Sequence, residues 1–216
     1  MAARVFVDTN VLFPFSVMDV MLALTEDFVH EIVWSERLLA EWERVIVREG
    51  RRSAESATAV TQAVRRFFAD GEIPAAAYGH LVDEMPGNDP DDRHHAAAAV
   101  AARADALITW NLADFPAGDL AEQGVRVIDP DSYLCGLYGE LPHEVAQTVI
   151  RLAGEKRNPP VTIADAVARL AKAGLPRFAD LLTHHLGHSR GDAGADGAPA
   201  VRDAEKGLGN EEGPGR

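Results

Sequence analysis

The sequence predicts an α/β fold: an α/β/α sandwich around a central, mostly parallel sheet, with a small C-terminal helical extension. Three observations carry this. Four short apolar runs, at residues 5–7, 31–34, 106–109 and 125–128, are each too short for a helix. Longer segments with helical spacing alternate with them, as strand–helix–strand units require. From Pro142 onward, helix starts recur with no strand pattern between them.

The elements follow in order. Residues 5–7 form a first strand that runs straight into Asp8, within the stretch VFVDTNVLF. After the second run, Ser35 is a suitable cap for a helix whose apolar stripe is Leu38, Leu39, Trp42, Val45 and Ile46, ending near Gly50. Ser53 caps a further helix through Phe68, stopped by Gly71. In DPDDRHHAAAAVAARA, Asp89 is placed to cap a helix with Pro90 at its first position and acids in its first turn. Pro142, Thr162 with Asp165 three residues on, and Pro176 each open a helix of the extension. Beyond Gly187, seven of eighteen glycines fall in 29 residues with hardly a large apolar side chain, so a disordered tail is expected. The expected division is 1–140, 141–187 and 188–216.

Composition narrows the function. A hydrophobic content of 47% suits a globular core. No apolar run approaches the roughly 18 residues of a membrane span, and an Asp arrives too early for a signal peptide, so a cytoplasmic protein without membrane contact is expected. Cys135 is the only cysteine, which excludes an internal disulfide and any cysteine-rich metal site. A net charge of −13 argues against gripping nucleic acid by bulk electrostatics. A polyanionic substrate would need cations as intermediaries.

Asp8 raises that question directly, because a buried carboxylate needs a partner or a cation. It ends a strand whose carboxyl end faces the ligand crevice of an open α/β sheet. Glu41 falls at the edge of its helix's apolar stripe, and Asp92 lies in the first turn of the Pro90 helix, where the dipole favours a negative charge. ALITWNLADF ends a strand with Thr109, Asn111 and Asp114 beyond it. Each acid also has an ordinary structural role open to it, as a turn residue, border charge or cap. Gathered at one pole, four carboxylates repel one another unless a hard divalent cation joins them. Neutralising Asp8 is therefore expected to leave stability equal or higher.

The chain resembles the PIN-domain nucleases, and in particular the VapC-type ribonuclease toxins of toxin–antitoxin pairs. VFVDTNVLF is similar to that family's first-strand motif, LLAEWERVI to its acid-bearing helix, DPDDRHHAAAA to its central Asp helix, and LITWNLADF to its closing strand and acidic turn. The resemblance covers residues 4–135. It implies a PIN-like fold, Mg²⁺ or Mn²⁺ as cofactor, and Asp8, Glu41, Asp92 and Asp114 as the catalytic acids. Where the family has T-x-D-x-D-F, this chain has TWNLADF, so Asn111 and Asp114 both stand as candidates for the fourth metal ligand. Asp92 matches the central motif better than Asp91, because Ala96 and Ala99 fall at the small-residue positions on its face.

The implied reaction is endoribonuclease hydrolysis by a metal-activated water, leaving a 5′-phosphate and a 3′-hydroxyl. Thr9, Asn10 and Thr109 are placed to orient carboxylates or touch phosphate. Arg44 and Arg48, one turn apart, are candidates for RNA contact. His94 and His95 invite a zinc site, but no Cys or spaced third His completes a tetrahedral set. The resemblance also implies a cognate antitoxin and a homodimer. An aspartyl phosphatase needs a second Asp where Asn10 stands, which counts against it. A PIN nuclease of RNA processing or DNA cleavage, and a non-catalytic PIN-like binding module, both remain open.

Overall fold

The four apolar runs become four parallel strands in the computed structural model, which describes residues 2–85, 87 and 92–192. They are β1 (Ala3–Val7), β2 (His30–Val33), β3 (Ala106–Ile108) and β4 (Arg126–Ile128), side by side in the order β2-β1-β3-β4. Val5 pairs with Ile32, Phe6 with Leu107, and Leu107 with Val127. The chain leaves β1 toward β2 on one side and later returns to build β3 on the other. The order therefore reverses between β1 and β3, where open parallel sheets form a crevice at their carboxyl ends. Asp8 leaves β1 and Thr109 leaves β3 at that point.

β2 sits one residue earlier than the apolar run suggests. Trp34 N–H donates to Gly71 O at 2.9 Å and Ile73 N–H to Trp34 O at 2.8 Å, so Trp34 pairs with a loop rather than with β1. A Cβ on Gly71 would lie 2.3 Å from Ile32 O, so only glycine permits this close pass.

Helices flank the sheet. Between β1 and β2 lie α1 (Thr9–Leu12) and α2 (Phe15–Glu26), neither delimited by the sequence pattern. α3 (Glu36–Arg48) and α4 (Ala54–Phe67) begin where expected: the Ser35 hydroxyl accepts from Leu38 N–H, and that of Ser53 from Ser56 N–H. A short α5 (Ala75–Tyr78) precedes α6 (Arg93–Ala101). The expected cap at Asp89, Pro90 at the first position, and Asp91 lie outside the described residues. Asp92 occupies the N-cap position of α6. Ala96 to Ala99 are fully buried, and these small side chains let α6 lie against β1 and β3. α7 (Ala117–Glu122) joins β3 to β4.

After β4 the chain is helical: α8 (Pro130–Glu140), α9 (Pro142–Glu155), α10 (Ile163–Lys172) and α11 (Pro176–Asp192). The Thr162 cap accepts from Asp165 N–H. α11 continues five residues past Gly187, where the extension was expected to end; residues 193–216, most of the expected tail, lie outside the described residues.

Several contacts fasten the extension. Arg151 of α9 reaches Glu26 at 3.2 Å and Asp27 at 3.1 Å at the end of α2. The buried Asp131 of α8 accepts from Phe178 N–H at 2.9 Å and Arg177 Nε at 3.0 Å, holding the start of α11. Gly174, at φ +99°, brings the α10–α11 turn against the Trp110 ring, which a Cβ there would approach to 3.0 Å. Trp110 belongs to TWNLADF, so the extension props the loop that follows β3.

Candidate functional site

Asp8 occupies the N-cap position of α1, yet its side chain makes no capping hydrogen bond. The carboxylate is buried at 4% exposure and turned toward the β1–β3 crevice. Its Oδ2 accepts from Asn10 Nδ2 at 2.7 Å and from the Thr109 hydroxyl at 2.7 Å. Asn10 also accepts from Trp110 N–H at 3.1 Å, and Thr109 Oγ1 accepts from Asn111 N–H at 3.0 Å. Asn10 and Thr109 thus lock the two strand ends together around one carboxylate. Thr9 is buried beside them.

The other oxygen of Asp8 faces a cation. Oδ1 lies 3.0 Å from His95 Nδ1, and the opposite ring nitrogen, Nε2, lies 3.2 Å from Glu41 Oε2. Burial would strip the proton from this fully enclosed ring, but Asp8 and Glu41 outweigh it and push the pKa up to about 9. Burial likewise acts to raise the Glu41 carboxyl, and His95, with lesser help from Thr9 and His94, holds it below its usual range. His94 Nε2 stands 3.6 Å from the same Glu41 oxygen.

This arrangement removes the premise of one expectation. Crowded acids were expected to make Asp8 a burden on the fold without a divalent ion; His95 supplies a positive charge between Asp8 and Glu41. The signal was in DDRHHAAAA: a charged ring followed by four alanines can sit deep only if it has acidic partners.

A cleft of about 330 Å³ opens above these groups, lined by Asp8, Thr9, Asn10, Glu41, Asp92 and Asn111, with Phe13, Val45 and Arg48 among the rest of its wall. Each acid arrives on a different element. α3 buries Leu38, Leu39, Trp42 and Ile46, which leaves Glu41 at the rim, half-buried. Asp92 arrives at the N-cap of α6, also without a side-chain cap bond. Asp114 ends a single 3₁₀ turn, residues 112–114, whose amide bonds back to Asn111 O at 3.1 Å. Asn111 lines the cleft; Asp114 does not. Arg48 lines it too, with Nε 3.0 Å from Glu49, while Arg44 donates to Ala40 O on its own helix. The donor types fit a divalent cation: the carboxylates of Asp8, Glu41 and Asp92 and the side-chain amide of Asn111 line a single open cleft.

The comparisons with known proteins agree with this architecture. Residues 4–113 match the family model described as PIN domain, and residues 130–184 match that of the VapC50 C-terminal domain. No curated protein and no solved structure matches the chain. The first match takes in nearly all of β1, both acid-bearing helices, β3 and Asn111, and the second runs from the start of α8 into α11. The chain belongs to the PIN-domain family and is of the VapC type.

Proposed function

We propose that the protein is a Mg²⁺-dependent endoribonuclease, the toxin of a toxin–antitoxin pair. The observation that carries this is the convergence of Asp8, Glu41, Asp92 and Asn111 on one open cleft at the carboxyl end of a parallel sheet. Asp8, Glu41 and Asp92 would hold Mg²⁺, or Mn²⁺ in its place. Asn111 lends a neutral oxygen from the cleft wall, and Asp114 adds its charge from the next turn. Bound there, the ion supplies charge neutralisation at the scissile phosphate and a more acidic water.

The protein's own groups do the rest. Asn10 and Thr109 fix Asp8 in one orientation, so no reorganisation is needed when the substrate arrives. Arg48, in the cleft wall, offers a guanidinium to an RNA phosphate in a molecule whose overall charge repels RNA, and Arg44 extends that track one helical turn away. Residues 1–140 carry the chemistry, and the helices up to Gly187 prop the Trp110 loop. The reading brings two protein partners, a cognate antitoxin and a second copy of the chain.

Incubating the full chain with RNA and Mg²⁺, followed by end-group analysis, tests the reaction. Fragments with 5′-phosphate and 3′-hydroxyl ends, abolished by chelation and restored by Mg²⁺ or Mn²⁺, are expected. Products ending in 2′,3′-cyclic phosphate would overturn the mechanism, because they require attack by the ribose hydroxyl instead of water.

A further inference from the structure

We propose that Glu41, His94 and His95 form a binding site for one borderline first-row transition-metal ion, Zn²⁺ before the others, distinct in donor chemistry from the oxygen set assigned to Mg²⁺. The three donors are already grouped. Glu41 Oε2 lies 3.6 Å from His94 Nε2 and 3.2 Å from His95 Nε2, and the ligand atoms of all three residues fall within 4.8 Å of one another. An ion bound at about 2.0–2.1 Å in tetrahedral geometry holds its donors roughly 3.4 Å apart, between the two observed spacings. Both spacings to Glu41 therefore already suit it, and the third, between the histidines, lies within 4.8 Å.

Two further features point the same way. The contacts of His95 to Glu41 and Asp8 are short, but neither has the in-line N–H···O geometry of a hydrogen bond. An off-axis approach is what results when donors face a shared point instead of each other. Asp8 Oδ1 also stands 3.0 Å from His95 Nδ1, where its charge favours keeping the proton on that nitrogen and so leaves the Nε2 lone pair for the ion. The sequence alone offers no third ligand for the adjacent histidines; α3 supplies it.

The donor set selects the ion. Two imidazoles and a carboxylate suit Zn²⁺, Ni²⁺ or Cu²⁺, whereas Mg²⁺ takes oxygen donors in near-ideal octahedral geometry. His94 and His95 are enclosed, and Glu41 lines the cleft, so the ion enters from that side and its remaining position opens there. Because the site uses Glu41, Zn²⁺ bound there withdraws one of the acids assigned to Mg²⁺ and inhibits cleavage; this last consequence rests on the nuclease reading, while the binding itself does not.

The test uses the full chain, stripped of metal and titrated with Co²⁺ as a spectroscopic stand-in. One equivalent should produce the intense visible absorption of four-coordinate cobalt, bleached by one equivalent of Zn²⁺ and unaffected by a large excess of Mg²⁺. His94→Gln and Glu41→Gln should abolish the band. Asp8→Asn, which leaves all three proposed ligands in place but removes the charge beside His95 Nδ1, should weaken Zn²⁺ binding about 10- to 100-fold. Circular dichroism confirms that each variant is folded, and either of His94→Gln and Glu41→Gln carries the test if the other does not fold. Absence of the band in wild type, or undiminished Zn²⁺ affinity in folded His94→Gln and Glu41→Gln, overturns the proposal; the latter would place the ion on histidines elsewhere. RNA cleavage on the same preparations separates the two readings. Mg²⁺-dependent cleavage without the band overturns the zinc site alone, and the band without cleavage overturns the nuclease alone.

Discussion

His95 Nδ1 stands 3.0 Å from Asp8 Oδ1, with both residues buried beneath the cleft. This single contact turns the first acid of the chain from a source of repulsion into half of an ion pair. Asp8→Asn removes one of the two carboxylates that keep His95 protonated. Removing one partner of a buried pair is strongly destabilising, and here the ring can shed its proton to limit the damage. The variant is expected to lose about 1–3 kcal/mol at pH 7 in the absence of divalent metal. Chemical denaturation checks this, and the difference from wild type should vanish above about pH 9. Unchanged or higher stability at pH 7 would show that the pair contributes nothing.

Two buried histidines should shape the pH dependence of stability in opposite directions. His30 receives the Tyr133 hydroxyl proton at Nδ1 and donates from Nε2 to Met21 O, and its burial, only partly offset by that backbone contact, lowers its pKa from 6.5 to about 4. Between pH 6.5 and 4 the unfolded chain binds the extra proton, so stability falls as pH drops, by about 3 kcal/mol. For His95 the folded value of about 9 exceeds the unfolded one. Its contribution is complete below pH 6.5 and is lost as pH rises through about 9. NMR titration of the imidazole signals should find one ring titrating near 4 and one near 9.

The contact between Gly174 and Trp110 should transmit to the site. Gly174→Ala must place a Cβ at 3.0 Å from the indole and hold φ at +99°, which side chains rarely adopt. Trp110 N–H is bonded to Asn10, which in turn orients Asp8, so the variant is expected to slow cleavage several-fold and shift the indole fluorescence. A destabilised protein with wild-type cleavage at a temperature well below its melting point would show that the extension is only a structural appendage.

How much of this was legible follows from the periodicity of each element. The stripe Leu38, Leu39, Trp42 and Ile46 marks α3 because one face is buried and the other wet, and the Ser35, Ser53 and Thr162 caps announce their helices. α2 gave no such pattern: Val17, Met18, Val20, Met21, Ala23 and Leu24 are all buried, so apolar residues lie nearly all round it. In the site, the cleft positions of Asp8, Glu41 and Asp92 could be read from a strand end, the edge of an apolar stripe and a helix start respectively. The position of Asn111 against Asp114 could not, because one residue in a turn decides which side chain faces the cleft. His95 was hidden for another reason. Its partners lie on β1 and α3, and only the packing of α6 against β1 and β3 brings a residue adjacent to His94 between them.

The most direct measurement of the central claim is the rate of Mg²⁺-dependent RNA cleavage by wild type and by Asp92→Asn. Asp92 lines the cleft from the N-cap position of α6, and asparagine is its near-isostere and an equally good cap residue, so the replacement should keep the fold while removing a charge from the ion's surroundings. At saturating Mg²⁺ the variant should fall by at least about a hundredfold, or roughly 2.7 kcal/mol of transition-state stabilisation, with an unchanged circular dichroism spectrum. Cleavage by folded Asp92→Asn at the wild-type rate would contradict the account.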